Sequence, residues 1–431
     1  MTTTSPLPAA DGCGCPEYAG LSRRGVLGLG AGLVGATTAT TATTMVGDAV
    51  LQTARAASGT ARNTLVVLSL RGAADGLSMV VPHGDPAYYK ARPRIGVQPE
   101  RLWGSDGFFG WHPALKPLQG LWAQGRLAAV QAVGLPAPNR SHFSAMEEVE
   151  DAAPGSTTRA GWLNRLVGLE DRTTPLRAVN LDAGALPSSL VGPTPAMSTE
   201  DVDSVVVAGG GDPRQRESSL RTLWGGRDDA LGRAAQMALG AVADFAPARQ
   251  TTARPQNGAR YPSGDLGGAM ATAARIIRGD VGTEVLTVDH GSWDMHAQLG
   301  TVDSGLMQRS CAELAQAIAA FFTDLGPRAG TVTLVTLTEF GRRIVENPNR
   351  GLDHGFGSMM MLAGAGVRGG RFYGRFPDLG TQAYSDLTVT TDYRSVLAEV
   401  VSTRFGASTA SVFPGFSGPT LGAMTNSVGS G

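Results

Sequence analysis

Lysine is nearly absent from this chain of 431 residues: only Lys90 and Lys116 occur, so arginine supplies the other 34 of the 36 basic side chains. Neither lysine lies in a G-x-x-x-x-G-K-[ST] phosphate loop or follows a strand end where a Schiff-base cofactor would be anchored, which removes lysine chemistry from consideration. The arginine excess reads as composition bias. Cysteine is scarce too. Cys13, Cys15 and Cys311 cannot build a disulfide framework. Cys311 falls in the series Met307, Cys311, Leu314, Ile318, Phe321, whose spacing marks the buried stripe of a helix. Net charge is also lacking, with 36 basic against 37 acidic residues. Without a basic cluster, counterion-driven nucleic-acid binding and adhesion to an anionic membrane are excluded.

Long apolar runs are missing as well, and the nearest approach to one is an address. Ser22-Arg23-Arg24-Gly25-Val26-Leu27 leads into a weakly apolar, glycine-rich run to about Ala36, then a Thr/Ala tract and Ala54-Arg55-Ala56-Ala57. This pattern reads as a twin-arginine export signal. The run is too short for a membrane span, which needs ~20 mostly apolar residues. Cleavage after Ala56 divides the chain into a leader, 1–56, and one elaborated α/β domain, 57–431. The expected partner is the twin-arginine export machinery, and the expected location is periplasmic, cell-surface or extracellular. Gly30, Gly32 and Gly35 match a dinucleotide fingerprint by spacing only, because no strand precedes them.

In the remainder, apolar β-rich runs at Thr64–Leu70, Leu127–Val133, Ala178–Leu181, Ser204–Ala208, Glu284–Asp289, Thr331–Leu337 and Ser358–Leu362 alternate with helical patterns. Helices are predicted at Pro113–Gln124, Ser141–Asp151, Gly161–Leu169, Ser218–Phe245, Gly267–Arg278, Ser304–Leu325 and Asp392–Phe405. The alternation predicts a three-layer α/β fold, a mainly parallel sheet covered by helices on both faces. Ala246–Gly264, rich in Pro, Gly, Thr and Arg, reads as a surface loop.

Chemistry in such sheets gathers beyond the carboxyl ends of the strands. The first strand runs into Arg71-Gly72-Ala73-Ala74-Asp75-Gly76, delivering Asp75 there as a metal ligand or as a turn residue. The strand Glu284–Asp289 ends in Asp289-His290-Gly291-Ser292-Trp293-Asp294-Met295-His296, where Asp294 and His296 point to one side of an extended segment. Thr331–Leu337 is followed by Glu339 and then by Asp353-His354. Together Asp75, Asp294, His296, Glu339, Asp353 and His354 suit one or two divalent ions, whether zinc, manganese, magnesium or calcium. Ser141 stands at a helix start, as cap or as nucleophile, and Arg140 beside it offers an anion contact. His83, His112 and His142 are more scattered.

The export signal, Arg71-Gly72-Ala73-Ala74-Asp75-Gly76, Arg140-Ser141-His142-Phe143, Trp293-Asp294-Met295-His296, Thr338-Glu339-Phe340-Gly341-Arg342, Asp353-His354-Gly355 and Thr391-Asp392-Tyr393-Arg394 together resemble the bacterial domain-of-unknown-function family 1501. That family is similar in turn to the alkaline-phosphatase-like superfamily of phosphatases and sulfatases. The resemblance implies a two-metal site with Asp75 as first-strand ligand, Asp294 with His296 as a second group and Asp353 with His354 as a third. Ser141 would be the counterpart of the nucleophile. No Cys-x-Pro-x-Arg motif occurs, so formylglycine chemistry is not expected. Two functions follow: an exported metal-dependent hydrolase of phosphate or sulfate esters, acting on a small anionic or cell-envelope substrate, or a non-catalytic exported metal- or ligand-binding protein.

Overall fold

The computed structural model describes residues 43–46, 49–52, 62–156, 159–170 and 174–426. The arginine pair of the expected leader, its apolar run and the expected cleavage point lie outside the described residues. Among the described residues no helix is long and apolar enough to cross a membrane.

One mixed sheet organises the chain. In sequence order its main strands are β1 (Thr64–Leu70), β2 (Leu127–Gly134), β3 (Ala178–Asn180), β4 (Met197–Ser198), β5 (Val285–His290), β6 (Val332–Leu337), β7 (Ser358–Gly364) and β8 (Arg371–Tyr373). Across the sheet they run β4-β3-β5-β1-β6-β7-β2-β8. All neighbours are parallel except β7, which is antiparallel to both β6 and β2. Beyond β4 the edge is extended by the antiparallel pair Thr43–Val46 and Ala49–Gln52.

The near-continuous apolar run of β1 is explained by burial of every one of its residues, as expected when both faces of a parallel strand are covered. Val66, Leu68 and Leu70 join one core with α3 (Ala230–Asp244), α4 (Asp265–Gly279) and α5 (Leu306–Leu325). Leu65 and Val67 point the other way, into a second core with α1 (His142–Asp151), α2 (Trp162–Val167) and α6 (Tyr393–Phe405). The result is three layers. The stripe Met307, Cys311, Leu314, Ile318 and Phe321 is fully buried on α5, and burial pushes the Cys311 thiol up from its ordinary value.

Local differences from the sequence reading have local causes. Ser204–Ala208 is not a strand: Asp201 caps a short 3-10 turn over Val202–Ser204, and Val206 beyond it faces solvent. The helix expected over Ser218–Phe245 is two, Pro213–Trp224 and α3, because Gly225 ends the first and Asp229 caps the second. Pro117 makes the stretch before Gln119 a 3-10 helix, and the supposed loop opens with a helical turn, Ala246–Gln250. The two-residue β4 was too short to leave a period in the sequence.

His112 supplies a stability prediction. It is buried, and its Nδ1 accepts the Ala114 N–H at 3.1 Å, capping Pro113–Leu118. Burial, helped by the Arg101 charge, lowers its pKa to about 4. An unfolded histidine titrates near 6.5, so the unfolded chain takes up a proton that the folded chain refuses as pH falls from about 6.5 to 4. The stability contribution is complete above that window and falls by about 3 kcal/mol across it. His112→Asn keeps the cap acceptor and removes the proton site. Urea unfolding at pH 7 and pH 4.5 is expected to show a smaller acid loss in the variant; equal losses would refute the linkage.

The topology places the site. β1, β2, β5 and β6 run in one direction, so the segments after them leave at the same sheet edge. β7 runs oppositely, so the loop before it returns to that edge.

Candidate functional site

After β5 the chain continues in extended form, burying Trp293 and Met295 and leaving Asp294 and His296 about half exposed. This is the period-2 arrangement read from the sequence. The segment is held down by Trp293 N–H donating to the Arg71 carbonyl at 3.2 Å and by Leu352 N–H donating to the Met295 carbonyl at 3.0 Å. Gly72 allows the approach: its φ is +109°, and a Cβ there would stand 2.5 Å from the Asp294 backbone nitrogen.

Three imidazoles meet beside Asp294. The Nε2 of His354 is 3.0 Å from the Nε2 of His142 and 3.0 Å from that of His296. Asp294 Oδ1 lies 3.1 Å from His296 Nε2, 3.5 Å from His354 Nε2 and 3.7 Å from His142 Nε2. Ligand atoms of His142, Asp294 and His354 all fall within 4.8 Å of one another.

Each ring is fixed from behind. His354 Nδ1 faces the Arg140 carbonyl at 3.1 Å, His142 Nδ1 faces Glu339 Oε1 at 3.0 Å, and His296 Nδ1 faces Asp353 Oδ1 at 3.2 Å. These three oxygens are acceptors, so each Nδ1 is placed to donate, and in a neutral ring that leaves the lone pair on Nε2. Arg342 agrees, since its Nη1 stands 3.3 Å from His296 Nε2 and can only donate. Three imidazole nitrogens and a carboxylate therefore converge, donor types that could hold a metal ion. A metal-binding imidazole almost always donates its other ring N–H to a carboxylate, a carbonyl or water, as these rings are placed to do.

Arg342 ties the loops together. Its buried guanidinium donates to the carbonyls of Ala73, Gly72 and Leu352 at 2.8, 2.6 and 3.0 Å and to Asp294 Oδ1 at 2.5 Å. Although burial opposes it, that hydrogen bond and charge, with His296 and His142, hold the Asp294 carboxyl below the usual carboxylate range. The Asn347 hydrogen bond, aided by His296, does the same for Asp353. Burial, with the charge of Arg342, lowers His354 below the ordinary histidine value, which favours the neutral ring.

Of the residues singled out from the sequence, Asp294, His296 and His354 come together directly, and Asp353 supports His296 from behind. Glu339 is buried and engaged through both oxygens: Oε1 accepts Gly72 N–H at 2.8 Å, and Oε2 accepts Ala73 N–H at 3.0 Å. It is an orienting group for His142 rather than a free ligand. Asp75 is not in the cluster. The chain turns through Gly72 and Ala73, both at positive φ, and Asp75 caps the helical turn Gly76–Met79 while pairing with buried Arg92 at 2.5 and 2.9 Å. The Arg140 guanidinium is occupied by Asp386, and only its carbonyl serves the site. Ser141 is exposed at the start of α1, and its side chain makes no capping bond. The sequence reading passed over His142 and Arg342. His142 had looked scattered because its carboxylate partner is 197 residues away.

A cavity of about 520 Å³ opens beside His142 and Asp294. The fold and the cluster together define a three-layer α/β protein with a histidine-rich, carboxylate-flanked centre at its sheet edge. Residues 108–399 match the family described as Protein of unknown function (DUF1501), more than half of the chain, and the chain belongs to that family. The match includes every member of the cluster and leaves β1 and Asp75 outside it. No curated protein matches the chain.

Proposed function

We propose that this centre binds one divalent metal ion and hydrolyses phosphate or sulfate esters, in an exported protein whose fold is alkaline-phosphatase-like. The observation that carries the reading is the convergence of three imidazole lone pairs and the Asp294 carboxylate beside the start of α1. The donor set fits an ion. Ligands about 2.0–2.1 Å from a tetrahedral zinc stand about 3.3 Å apart, close to the separations among these atoms. Imidazole favours zinc over manganese, magnesium or calcium. The two-ion arrangement implied by the family resemblance narrows to one here, because Arg92 holds Asp75 and both oxygens of Glu339 are engaged.

His142, His354 and Asp294 would hold the ion, with His296 in reach, and when bound it would polarise the ester oxygen as a Lewis acid. The chain supplies the rest. Glu339, Asp353 and the Arg140 carbonyl keep the rings in one tautomer. The first N–H groups of a helix have no partners within it, so the start of α1 favours an anionic ester group. Ser141, next to His142 and free of capping, is the candidate nucleophile.

Metal analysis and turnover test this directly. Chain purified without chelator is expected to carry about one zinc, as one tetrahedral site implies, and to release phosphate or sulfate from an ester panel. Metal without turnover would leave the non-catalytic binding protein, and no metal under any loading condition would sink the metal-dependent hydrolase. Ser141→Ala is expected to lower kcat at least about a hundredfold with metal content unchanged. An unchanged kcat would pass the attack to a water. For Glu339→Gln, zinc titration is expected to show about 10–100-fold weaker affinity at the same stoichiometry, as for other groups that orient a ligand. An unaltered affinity would remove Glu339 from that role.

A further inference from the structure

We propose that the cavity beside the metal ligands takes the leaving group of the ester and selects one that is uncharged and apolar, such as an aryl or other bulky hydrophobic alcohol. This rests on the ester-hydrolase reading of the same centre and adds the class of substrate. Successive residues of α1 build the wall. His142, Phe143, Met146, Glu147 and Glu150 follow helical spacing, so the helix that offers His142 to the ion also presents Phe143 and Met146 to the cavity. Phe143 is 87% exposed, an aromatic ring left in water one residue from a proposed ligand. Met146 lies below it as an adaptable apolar floor.

Charge excludes ionic leaving groups. Among the described residues Arg71 is the only arginine or lysine lining the cavity, and it is already neutralised twice: Nη2 meets Glu150 at 2.6 Å and Nε meets Asp289 at 2.9 Å. Glu147 is paired with Arg159, outside the lining. A leaving group with a second phosphate or a carboxylate would find no free cation and several carboxylates. An ammonium group would find those carboxylates already paired. A volume of about 520 Å³ suits a bicyclic ring or a short branched chain.

Calorimetric titration of zinc-loaded full-length chain with inorganic phosphate, methylphosphonate, 1-naphthylphosphonate, glucose 6-phosphate and 2-aminoethylphosphonate tests this without requiring turnover. Naphthylphosphonate is expected to bind at least about tenfold tighter than methylphosphonate, the gain from burying part of an aromatic surface. In Phe143→Ala, a change at an exposed side chain, most of that preference is expected to vanish while phosphate affinity stays the same. Equal affinities for the two phosphonates, no effect of Phe143→Ala, or tighter binding of glucose 6-phosphate or 2-aminoethylphosphonate would overturn the assignment of the cavity. Failure of all the anions, phosphate included, to bind the loaded protein would overturn the ester-site reading itself.

Discussion

Histidine 354 replaced by alanine is expected to lose its metal. His354 Nε2 is the hub of the cluster, 3.0 Å from each of the other two imidazole nitrogens, so no ion can sit among the remaining ligands with a full set. Structural zinc sites gain roughly 10–16 kcal/mol in all, so loss of one protein ligand among three is expected to weaken zinc binding by more than about a hundredfold. The fold should not suffer. The side chain is partly exposed, its Nδ1 meets only the Arg140 carbonyl and its ring packs on Phe340, so metal-free stability is expected to change by less than about 1 kcal/mol. Zinc added at a hundred times its dissociation constant should stabilise the wild type by about 2.7 kcal/mol and the variant hardly at all. Urea unfolding with and without zinc reads both quantities. An equal zinc effect in the two proteins would remove His354 from the ligand set.

Asp75→Asn is expected to do the reverse. Asp75 and Arg92 form a pair with almost no exposure, in which both guanidinium nitrogens reach the carboxylate. Removing one partner leaves a buried charge without compensation, at a cost of about 3–5 kcal/mol. The asparagine retains an oxygen for the Ser78 N–H, so the loss isolates the ion pair from the helix cap. Zinc stoichiometry should be unchanged. A variant that kept its stability and lost its zinc would return Asp75 to the ligand role that family resemblance implied. Asp294→Asn makes the opposing control, because its side chain is about half exposed and its oxygen faces all three imidazoles.

The contrast between these two aspartates marks what was legible in the sequence. Both follow apolar strands, and local pattern placed both at the correct sheet edge. The period-2 segment Trp293–His296 carried further information, because alternation of buried and polar residues fixes which way Asp294 and His296 point. Asp75 carried no such pattern. Its fate was set by Arg92, which lies in a segment without strand or ligand character, and by a positive-φ turn at Ala73 that no composition rule announces. His142 was hidden for a similar reason. An imidazole is recognised by its carboxylate, and Glu339 reaches it only because β2 and β6 flank β7 in the sheet. The long buried strands were legible because covering both faces demands unbroken apolar runs. The run Ser204–Ala208 imitated them, and the two-residue β4 was too short to do so.

Arg342 shows one further limit. In sequence it is one of 34 arginines, and nothing in the local pattern of Gly341-Arg342-Arg343 shows that it, and not its neighbour, is buried. In the structure Arg342 is buried and joins three loops, whereas Arg343 is partly exposed and pairs with Asp386. Scarcity of lysine thus acquires a physical counterpart at this position. A planar guanidinium reaches three carbonyls and a carboxylate at once, which a single ammonium cannot do.

The most direct test of the metal centre is anomalous diffraction at the zinc edge from crystals of the zinc-loaded chain. The expected result is a single strong peak about 2.0–2.1 Å from the Nε2 atoms of His142 and His354, with Asp294 Oδ1 in the same shell. A peak at Asp75, or no peak among the three imidazoles at saturating zinc, would contradict it.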